Sequence, residues 1–283
     1  MKKYIAAALA VFAGTPALAA PAQNSPQPVT ISAAKSLQWD RKAKTYTAFE
    51  NVVATQGNVS LHSDTLTAHY TNARGGAADV TTLDADGNVT ISAPPYTAAG
   101  DHAVYTVRTG NAVLTGKNLK ITSGESVLTA KDRIEYDSRD GTMTAIGNPE
   151  AVKGSDTLTA DVMRATFTKD ATGKMTAQTI TARGHVVIKT LSETATGDDG
   201  VYDTTTQKAV LTGHVRILQG KNLLQGTRAD VDMKTGISRL SGKGDAATEG
   251  RVTGTFYPQP KNKAPAENSK AETPQPKAGK VGD

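Results

Sequence analysis

The feature of this sequence that most constrains its fold is a short segment that returns at nearly constant intervals. Residues 184–188 (GHVVI) come back as residues 213–217 (GHVRI). A glycine followed closely by an apolar residue recurs along the chain with successive spacings of 30, 29, 31, 37, 29 and 29 residues, at Gly57, Gly87, Gly116, Gly147, Gly184, Gly213 and Gly242. A period this steady predicts a stack of similar supersecondary units.

Within each unit apolar and polar residues alternate, which is the pattern of a half-buried β-strand and not of a helix. The apolar pairs that share a face are Val59 and Leu61, Val89 and Ile91, Leu119 and Ile121, Val186 and Ile188, and Val215 and Ile217. An aromatic residue precedes the turn-forming residues in most units, at Trp39, Tyr70, Tyr105, Tyr136, Phe167 and Tyr202. Each unit is therefore predicted to be a strand, a tight turn and a strand, with the interior glycines marking bends.

The two ends of the chain differ in composition from the part between them. Residues 1–19 combine two lysines, a short apolar run and a small-residue ending, which is typical of a cleaved secretory signal peptide. Residues 20–28 and 258–283 are rich in Pro, Ala and Gln and poor in large apolar side chains, so we expect a linker and a disordered Pro/Lys/Ala-rich tail. Residues 29–257 then form one domain.

Composition excludes several classes of protein. The chain has no cysteine, which rules out a disulfide framework, and a formal charge of +5 over 283 residues is too small for a dedicated nucleic-acid binder. Its glycines lie between predicted strands and form no phosphate-binding or dinucleotide motif. We expect an exported protein that binds no nucleic acid, needs no metal or cofactor and is not an enzyme.

If every unit bends at its glycine, the stacked units enclose a trough lined with aliphatic side chains. Only 5% of the residues are aromatic, so a sealed interior would have little bulky filler, and we expect a slot that is open to an apolar guest. The ordinary alternative is that these side chains are packed core. The candidate lining residues are Val59, Leu61, Leu66, Val89, Ile91, Leu114, Leu119, Ile121, Leu128, Leu158, Val186, Ile188, Leu211, Val215, Ile217 and Leu224.

Residues 50–70 (ENVVATQGNVSLHSDTLTAHY), with the recurring G-N-V, T-L-T-A and Y-D segments, resemble the OstA-like family, in particular its periplasmic bridge proteins of lipopolysaccharide transport. The resemblance covers about residues 29–240. It implies an all-β fold, a twisted open β-jellyroll of stacked antiparallel strands whose interior holds the acyl chains of lipid A. It also implies a place in the periplasm of a Gram-negative bacterium and transfer of lipopolysaccharide from the inner to the outer membrane during outer-membrane assembly.

The resemblance implies protein partners as well, namely the inner-membrane and outer-membrane components of the lipopolysaccharide transport machinery and further copies of the chain joined end to end. The first and last strands, about 31–53 and 237–257, would offer unpaired backbone groups to such partners by β-augmentation. In the alternative, the flanking Pro-rich segments blunt both edges.

Three sets of polar residues have a second interpretation. His185 and His214 occupy equivalent positions where other units have Asn, so they are either polar residues at a bend or a shared metal site. An aspartate also recurs once per unit. These aspartates either cap backbone groups at turns or form a calcium-binding or hydrolase site. They are Asp64, Asp101, Asp132, Asp161, Asp198 and Asp230. A third set is basic. These side chains either lie on a solvated outer face or contact the phosphates of lipid A. They are Lys117, Lys120, Lys153, Lys189, Arg216 and Lys221.

Two other classes of function compete with the lipid bridge. One is an exported β-helical protein that binds or degrades polysaccharide, and the other is a structural or adhesive repeat protein. Lipid that stays bound to the purified protein would distinguish a lipid bridge from both of these classes.

Overall fold

The structure, a computed structural model, describes residues 29–72, 78–169, 175–232, 234–235, 237–242 and 251–257. The predicted signal peptide (1–19), linker (20–28) and tail (258–283) lie outside the described residues. The regular elements of the described part are strands, and none of its residues forms a helix long and apolar enough to cross a membrane.

The strands are β1 (Thr30–Ser32), β2 (Ser36–Asp40), β3 (Thr45–Gln56), β4 (Val59–Asn72), β5 (Ala78–Ala93), β6 (Tyr96–Thr106), β7 (Asn111–Thr115), β8 (Leu119–Ser123), β9 (Ser126–Ala130), β10 (Arg133–Asp137), β11 (Thr142–Ile146), β12 (Glu150–Lys153), β13 (Asp156–Thr159), β14 (Val162–Lys169), β15 (Met175–Lys189), β16 (Glu193–Asp203), β17 (Lys208–Gln219), β18 (Asn222–Asp232), β19 (Ile237–Ser241) and β20 (Thr253–Thr255).

Neighbouring strands pair antiparallel throughout the described part, and most pair with the next strand in the chain. β16 and β17, for example, are joined by a tight turn and place Tyr202 opposite Ala209. Thr and Val, which favour strands because their branched side chains pack well on a pleated surface, fill many of these positions. The predicted all-β, twisted open β-jellyroll of antiparallel strands is confirmed.

The sheet folds over along one line that crosses every long strand near its middle. On β15 the register with β16 shifts between Arg183 and Val186, and the two residues between them, Gly184 and His185, have φ of +73° and +47°. Two consecutive left-handed residues turn the strand sharply, so its two halves belong to different layers. Glycines with positive φ mark the same line at Gly87, Gly116, Gly147 and Gly213.

The fold line divides the sheet into two layers, which we define by their strands. The first layer contains β2, β7, β10, β11, β14, β19 and the halves 45–49, 65–72, 78–86, 102–106, 175–183, 199–203, 208–212 and 228–232. The second layer contains β1, β8, β9, β12, β13, β20 and the halves 52–56, 59–63, 89–93, 96–100, 186–189, 193–197, 215–219 and 222–226.

The space between the two layers holds the hydrophobic core. Alternate residues of each half-strand point into it, and they form one continuous cluster that includes members of both layers, such as Leu66 and Ile180 in the first and Leu158 and Ile188 in the second. The fold line closes one side of this interior. On the opposite side the hairpin turns of the two layers form two rows, and we call this side the seam.

An aspartate lies against the bend of the neighbouring strand at each of five crossings of the fold line. A methyl group added to Gly184 would collide with Oδ2 of Asp161, and the same relation joins Asp64 to Gly87, Asp101 to Gly116, Asp132 to Gly147 and Asp198 to Gly213. At one bend Oδ2 of Asp101 accepts a hydrogen bond from the backbone N–H of Lys117 at 2.8 Å, and so satisfies a polar group that the bend frees from strand pairing. At three other bends the carboxylates meet side chains instead, since Asp64 accepts a hydrogen bond from Asn88 and Asp161 and Asp198 pair with His185 and His214.

Several positions in the predicted series differ in the structure. Gly57 lies in the turn between β3 and β4, and Gly242 follows β19, so neither marks a bend within a strand. The first bend is instead at Glu50 and Asn51, with φ of +66° and +46°, where the register of β3 with β4 shifts. Asp230 is also outside the fold line, because its carboxylate pairs with Arg228 on the outer face of β18.

We predict that Gly184→Ala lowers the free energy of unfolding by about 2–3 kcal/mol, measured by urea denaturation. The alanine must adopt a left-handed φ of +73° and displace Asp161 from the bend.

Gly154→Ala is the matched control. Gly154 has a similar φ of +60° in the turn between β12 and β13, but a methyl group added to it would meet open space. We expect a loss of about 1 kcal/mol, the cost of the backbone conformation alone. Equal losses in the two variants would show that the carboxylate contact at the fold line contributes nothing.

Candidate functional site between the two layers

The residues predicted to line a slot face the interior between the layers. Twelve of them are buried members of the core cluster: Leu66, Val89, Leu114, Leu119, Ile121, Leu128, Leu158, Val186, Ile188, Leu211, Val215 and Ile217. Leu61, Ile91 and Leu224 are half-buried and pack against that cluster. Val59 is half-buried beside the turn between β3 and β4 and is not among the residues packed against the cluster.

The expectation that this slot is already open to a guest is corrected by the structure. The aliphatic side chains contact one another across the interior, and Leu66, Leu119, Leu158, Ile180 and Ile188 are almost completely buried. A gap lined by Leu128, Met143, Met163 and Ile180 has a volume of about 10 Å³, which is close to the smallest cavity that holds one water molecule. At this gap the interior has no room for a fatty acyl chain unless the layers move apart.

Small side chains supply much of the contact between the layers. Alanines recur at inward-facing positions, including Ala145 in the first layer and Ala151 in the second, both almost fully buried. Alanine was not recognised as a lining residue from the sequence because it is common on both faces of strands. Continuing the two-residue alternation outward from the leucines and isoleucines identifies these positions.

The seam has an aromatic rim on the first layer. The rim consists of the last inward-facing residue of a strand before its turn. The four members are Tyr105, Tyr136, Phe167 and Tyr202. Each follows, two residues later on the same face, a small or buried apolar residue. Tyr105 and Tyr136 both lie opposite Ala112 across the strand ladder. Four of the six aromatic residues that the sequence shows before the turns are thus components of the seam.

The second layer places polar side chains at the same level of the seam. Tyr96, Ser123, Asp156 and Glu193 are the last inward-facing residues of β6, β8, β13 and β16. Burial raises the pKa of Tyr96 to about 12, and burial also raises the pKa of the Asp156 and Glu193 carboxyls. The seam therefore joins an apolar interior to a rim with hydrogen-bonding groups.

An aromatic stack covers the N-terminal end of the interior. Trp39 stacks on Tyr46 with ring centroids 5.6 Å apart, and its Nε1–H donates to the hydroxyl of Tyr70 at 2.8 Å. The guanidinium of Arg41 lies 4.2 Å from the centroid of the Trp39 ring. Trp39 remains 50% exposed because β2 is an edge strand.

The two histidines considered as a shared metal site belong to separate pairs. Nδ1 of His185 lies 2.9 Å from Oδ2 of Asp161, and Nδ1 of His214 lies 2.8 Å from Oδ2 of Asp198. Both imidazoles are about nine-tenths exposed. Each histidine thus completes its own bend at the fold line.

The basic series divides between the two sides of the sheet. Lys117, Lys120 and Arg216 lie at or beside the fold line, exposed on the outside. Lys153, Lys189 and Lys221 are instead exposed beside the hairpin turns of the second layer, at the seam.

A model of the family of LptA/(LptD N-terminal domain) LPS transport proteins matches this chain over residues 31–141 and 132–237. The chain belongs to that family. The matched interval runs from β1 to the start of β19, so it contains the fold line, the two layers and the interior described above.

Two further comparisons found proteins similar to this LPS transport family member. An uncharacterized protein of Rhizobium meliloti (strain 1021) is 28% identical over 149 residues, which are 50% of this chain and 77% of the relative. The crystal structure of LptH, described as the LptA homologous periplasmic component of the lipopolysaccharide transport device of Pseudomonas aeruginosa, aligns at 19% identity with a TM-score of 0.39. That alignment covers 47% of this chain and 95% of the LptH chain.

Asp156→Asn is predicted to raise the free energy of unfolding by about 1 kcal/mol at pH 7, because it removes a desolvated charge from the seam. Burial raises the pKa of this carboxyl in the folded state. The wild-type penalty is therefore present above the folded pKa and disappears as the pH falls to the ordinary value of 3.8. Denaturation between pH 3 and pH 8 should show the gain shrinking towards acid.

Asp203→Asn should behave in the opposite way. Hydrogen bonds from the backbone N–H groups of Thr206 and Thr205 lower the pKa of Asp203. This carboxylate stabilises the fold above its unfolded pKa, and the stabilisation is lost as the pH falls. If both variants followed the same pH trend, the assignment of a buried charge at Asp156 would be wrong.

Proposed function

We propose that this protein is a periplasmic lipopolysaccharide-binding bridge that shields lipid A acyl chains between its two sheet layers during transfer from the inner to the outer membrane. The observation that supports it best is a continuous apolar interior that runs from β3 to β18 and is bounded along one side by the fold line, in a chain of the LPS transport family. The same arrangement supports a carrier that performs no chemistry.

The energetic need for such a carrier follows from the acyl chain. Each methylene moved from an apolar environment into water costs about 0.8 kcal/mol, so a chain of roughly a dozen carbons costs on the order of 10 kcal/mol to expose. An amphiphile with several such chains does not cross an aqueous compartment unaided. A long apolar interior removes this cost and keeps the sugars and phosphates in water.

Loading of the interior takes place by separation of the layers at the seam. The fold line holds each long strand in both layers at once, whereas no strand pairing of the described residues joins the two rows of turns. When an acyl chain enters, contacts between the layers are exchanged for contacts with the chain, and the aliphatic side chains stay out of water. The net cost of opening is then small compared with the gain from burying the ligand.

The polar part of the ligand would remain at the seam. Lys153, Lys189 and Lys221 are exposed beside the second-layer turns, where their ammonium groups are placed to meet phosphates. Lys120 and Arg216 do not share this placement, because they lie on the outer face beside the fold line.

The two ends of the sheet are the proposed contacts for membrane-bound partners and for further copies of the chain. The N-terminal edge consists of β1 and β2, which both pair with β3, and the C-terminal edge consists of β19 and β20, which both pair with β18. Leu37 is 61% exposed at one end and Phe256 68% exposed at the other. An added strand at either edge would extend both the backbone pairing and the apolar interior.

A polysaccharide-binding protein is the second candidate, and the half-exposed Trp39 stack favours it, since aromatic rings are common platforms for polar ligands with apolar faces. The acidic series gives no support to a polysaccharide hydrolase, because five of its members lie against bends of the fold line.

Lipid extraction tests the proposal. The wild-type protein is purified from the periplasm of a Gram-negative host by gentle lysis. We expect mass spectrometry to detect lipopolysaccharide bound to it, with at least one lipopolysaccharide molecule for every several protein chains. Protein that retains no amphiphile and instead retains polysaccharide would support the second candidate.

Photo-crosslinking tests where the lipid lies. A photoreactive residue placed at Leu128 or Leu158, which face the interior, should crosslink lipopolysaccharide. Their strand neighbours Thr129 and Thr157 face outward on the same strands and serve as matched controls that should crosslink at least about tenfold less. Equal crosslinking at inward and outward positions would contradict binding between the layers.

A further inference from the structure

The outer face of the first layer carries a group of metal-ligating side chains that has no part in the interior. Asp84 and Asp86 lie two residues apart on β5 and so project from the same face, and His102 on β6 lies directly opposite Asp86. One ligand atom from each residue lies within 4.8 Å of the others. Nδ1 of His102 is 2.7 Å from Oδ1 of Asp86 and 3.4 Å from Oδ1 of Asp84.

Nδ1 of His102 cannot donate a hydrogen bond to both carboxylates at the same time. One ring nitrogen carries at most one proton, which it donates to one acceptor at a time. Oδ1 of Asp84 is shielded from water, and none of the described residues donates a hydrogen bond to it. A shielded carboxylate oxygen beside a second carboxylate is costly, and a divalent cation would stabilise both oxygens at once.

We propose that Asp84, Asp86 and His102 form a binding site for a divalent transition-metal ion and that it prefers Zn²⁺ to Ca²⁺. The donor set is one imidazole nitrogen and two carboxylate oxygens, which suits Zn²⁺, whereas Ca²⁺ takes six to eight oxygen ligands. A water molecule on the exposed outer face would complete the tetrahedron.

The two separations measured from Nδ1 of His102 are compatible with this ion. Metal–ligand bonds of about 2.0–2.1 Å in a tetrahedron place neighbouring ligand atoms about 3.3 Å apart. The His102–Asp84 separation of 3.4 Å has this length already. The His102–Asp86 separation is shorter, and the Asp86 side chain, which is 64% exposed, is free to rotate outward by the necessary few tenths of an ångström.

The location gives the ion a structural role. All three ligands come from the hairpin formed by β5 and β6, next to the fold line, so a bound ion would pin the two strands together from outside. The interior between the layers does not take part, and the site is therefore independent of the proposed transport function.

Zinc titration of untagged protein stripped of metal with EDTA tests the site, with binding followed by calorimetry and by the melting temperature. Wild-type protein should bind Zn²⁺ at one site more tightly than Ca²⁺ and should melt at a higher temperature with Zn²⁺. His102→Ala and Asp84→Asn should each weaken this binding by at least about tenfold.

His214→Ala is the matched control, since His214 is an exposed histidine paired with a single carboxylate, Asp198. This variant should keep the wild-type affinity for Zn²⁺. Equal losses in His102→Ala and His214→Ala would overturn the proposal in favour of weak binding to any exposed histidine. The absence of Zn²⁺ binding by folded wild-type protein would leave only an ion pair, and Ca²⁺ binding that survives His102→Ala would leave only an acidic patch.

Discussion

The contact between an aspartate and a left-handed bend on the next strand is the interaction on which this architecture depends. A strand that turns through left-handed residues loses part of its ladder pairing and frees polar backbone groups. The neighbouring carboxylate occupies the inside of the bend, where Asp101 accepts a hydrogen bond from the backbone N–H of Lys117 and Asp161 pairs with the His185 side chain. Because the bends at Gly87 and Gly184 lie on one line with the others, the whole sheet folds once and encloses an interior on the inside of the fold.

A sheet folded along one line has one fixed side and one side that can separate. Every long strand belongs to both layers, so the fold line cannot open without breaking strands, whereas no strand pairing of the described residues crosses the seam. The interior contacts are aliphatic and non-directional, with many alanines among them. Such contacts are easily exchanged for contacts with a hydrocarbon chain, and they are similar from one strand to the next. A lipid that moves along this interior would meet no single deep minimum.

The local sequence pattern was sufficient to predict much of the fold, but it predicted less of the candidate site. Alternation placed Leu158 and Ile188 inside and Lys120 and Arg216 outside, since the two-residue period of a strand is independent of its partners. The first bend was missed because Glu50 and Asn51 adopt positive φ without a glycine. Gly57 was misassigned because a turn and a bend both favour glycine.

Features that depend on strand register were not accessible from the sequence. Asp86 and His102 become neighbours only through the pairing of β5 with β6, and nothing in their sequence separation indicates a common site. The closed state of the interior was also missed, because alternation predicts which face a residue occupies but not how closely two faces approach. Alanines such as Ala145 and Ala151 allow the layers to meet without bulky filler.

Distance measurement between spin labels tests directly whether the seam opens for lipid while the fold line stays closed. Labels at Glu125 and Arg139 report on the seam, because these exposed residues lie in second-layer and first-layer turns. Labels at Lys117 and Lys131, exposed on the fold line, report on the hinge. Lipopolysaccharide should lengthen the seam distance by about 4 Å, the thickness of one interposed hydrocarbon layer, and leave the fold-line distance unchanged. A seam distance that stays constant in the lipid-loaded protein would contradict binding between the layers.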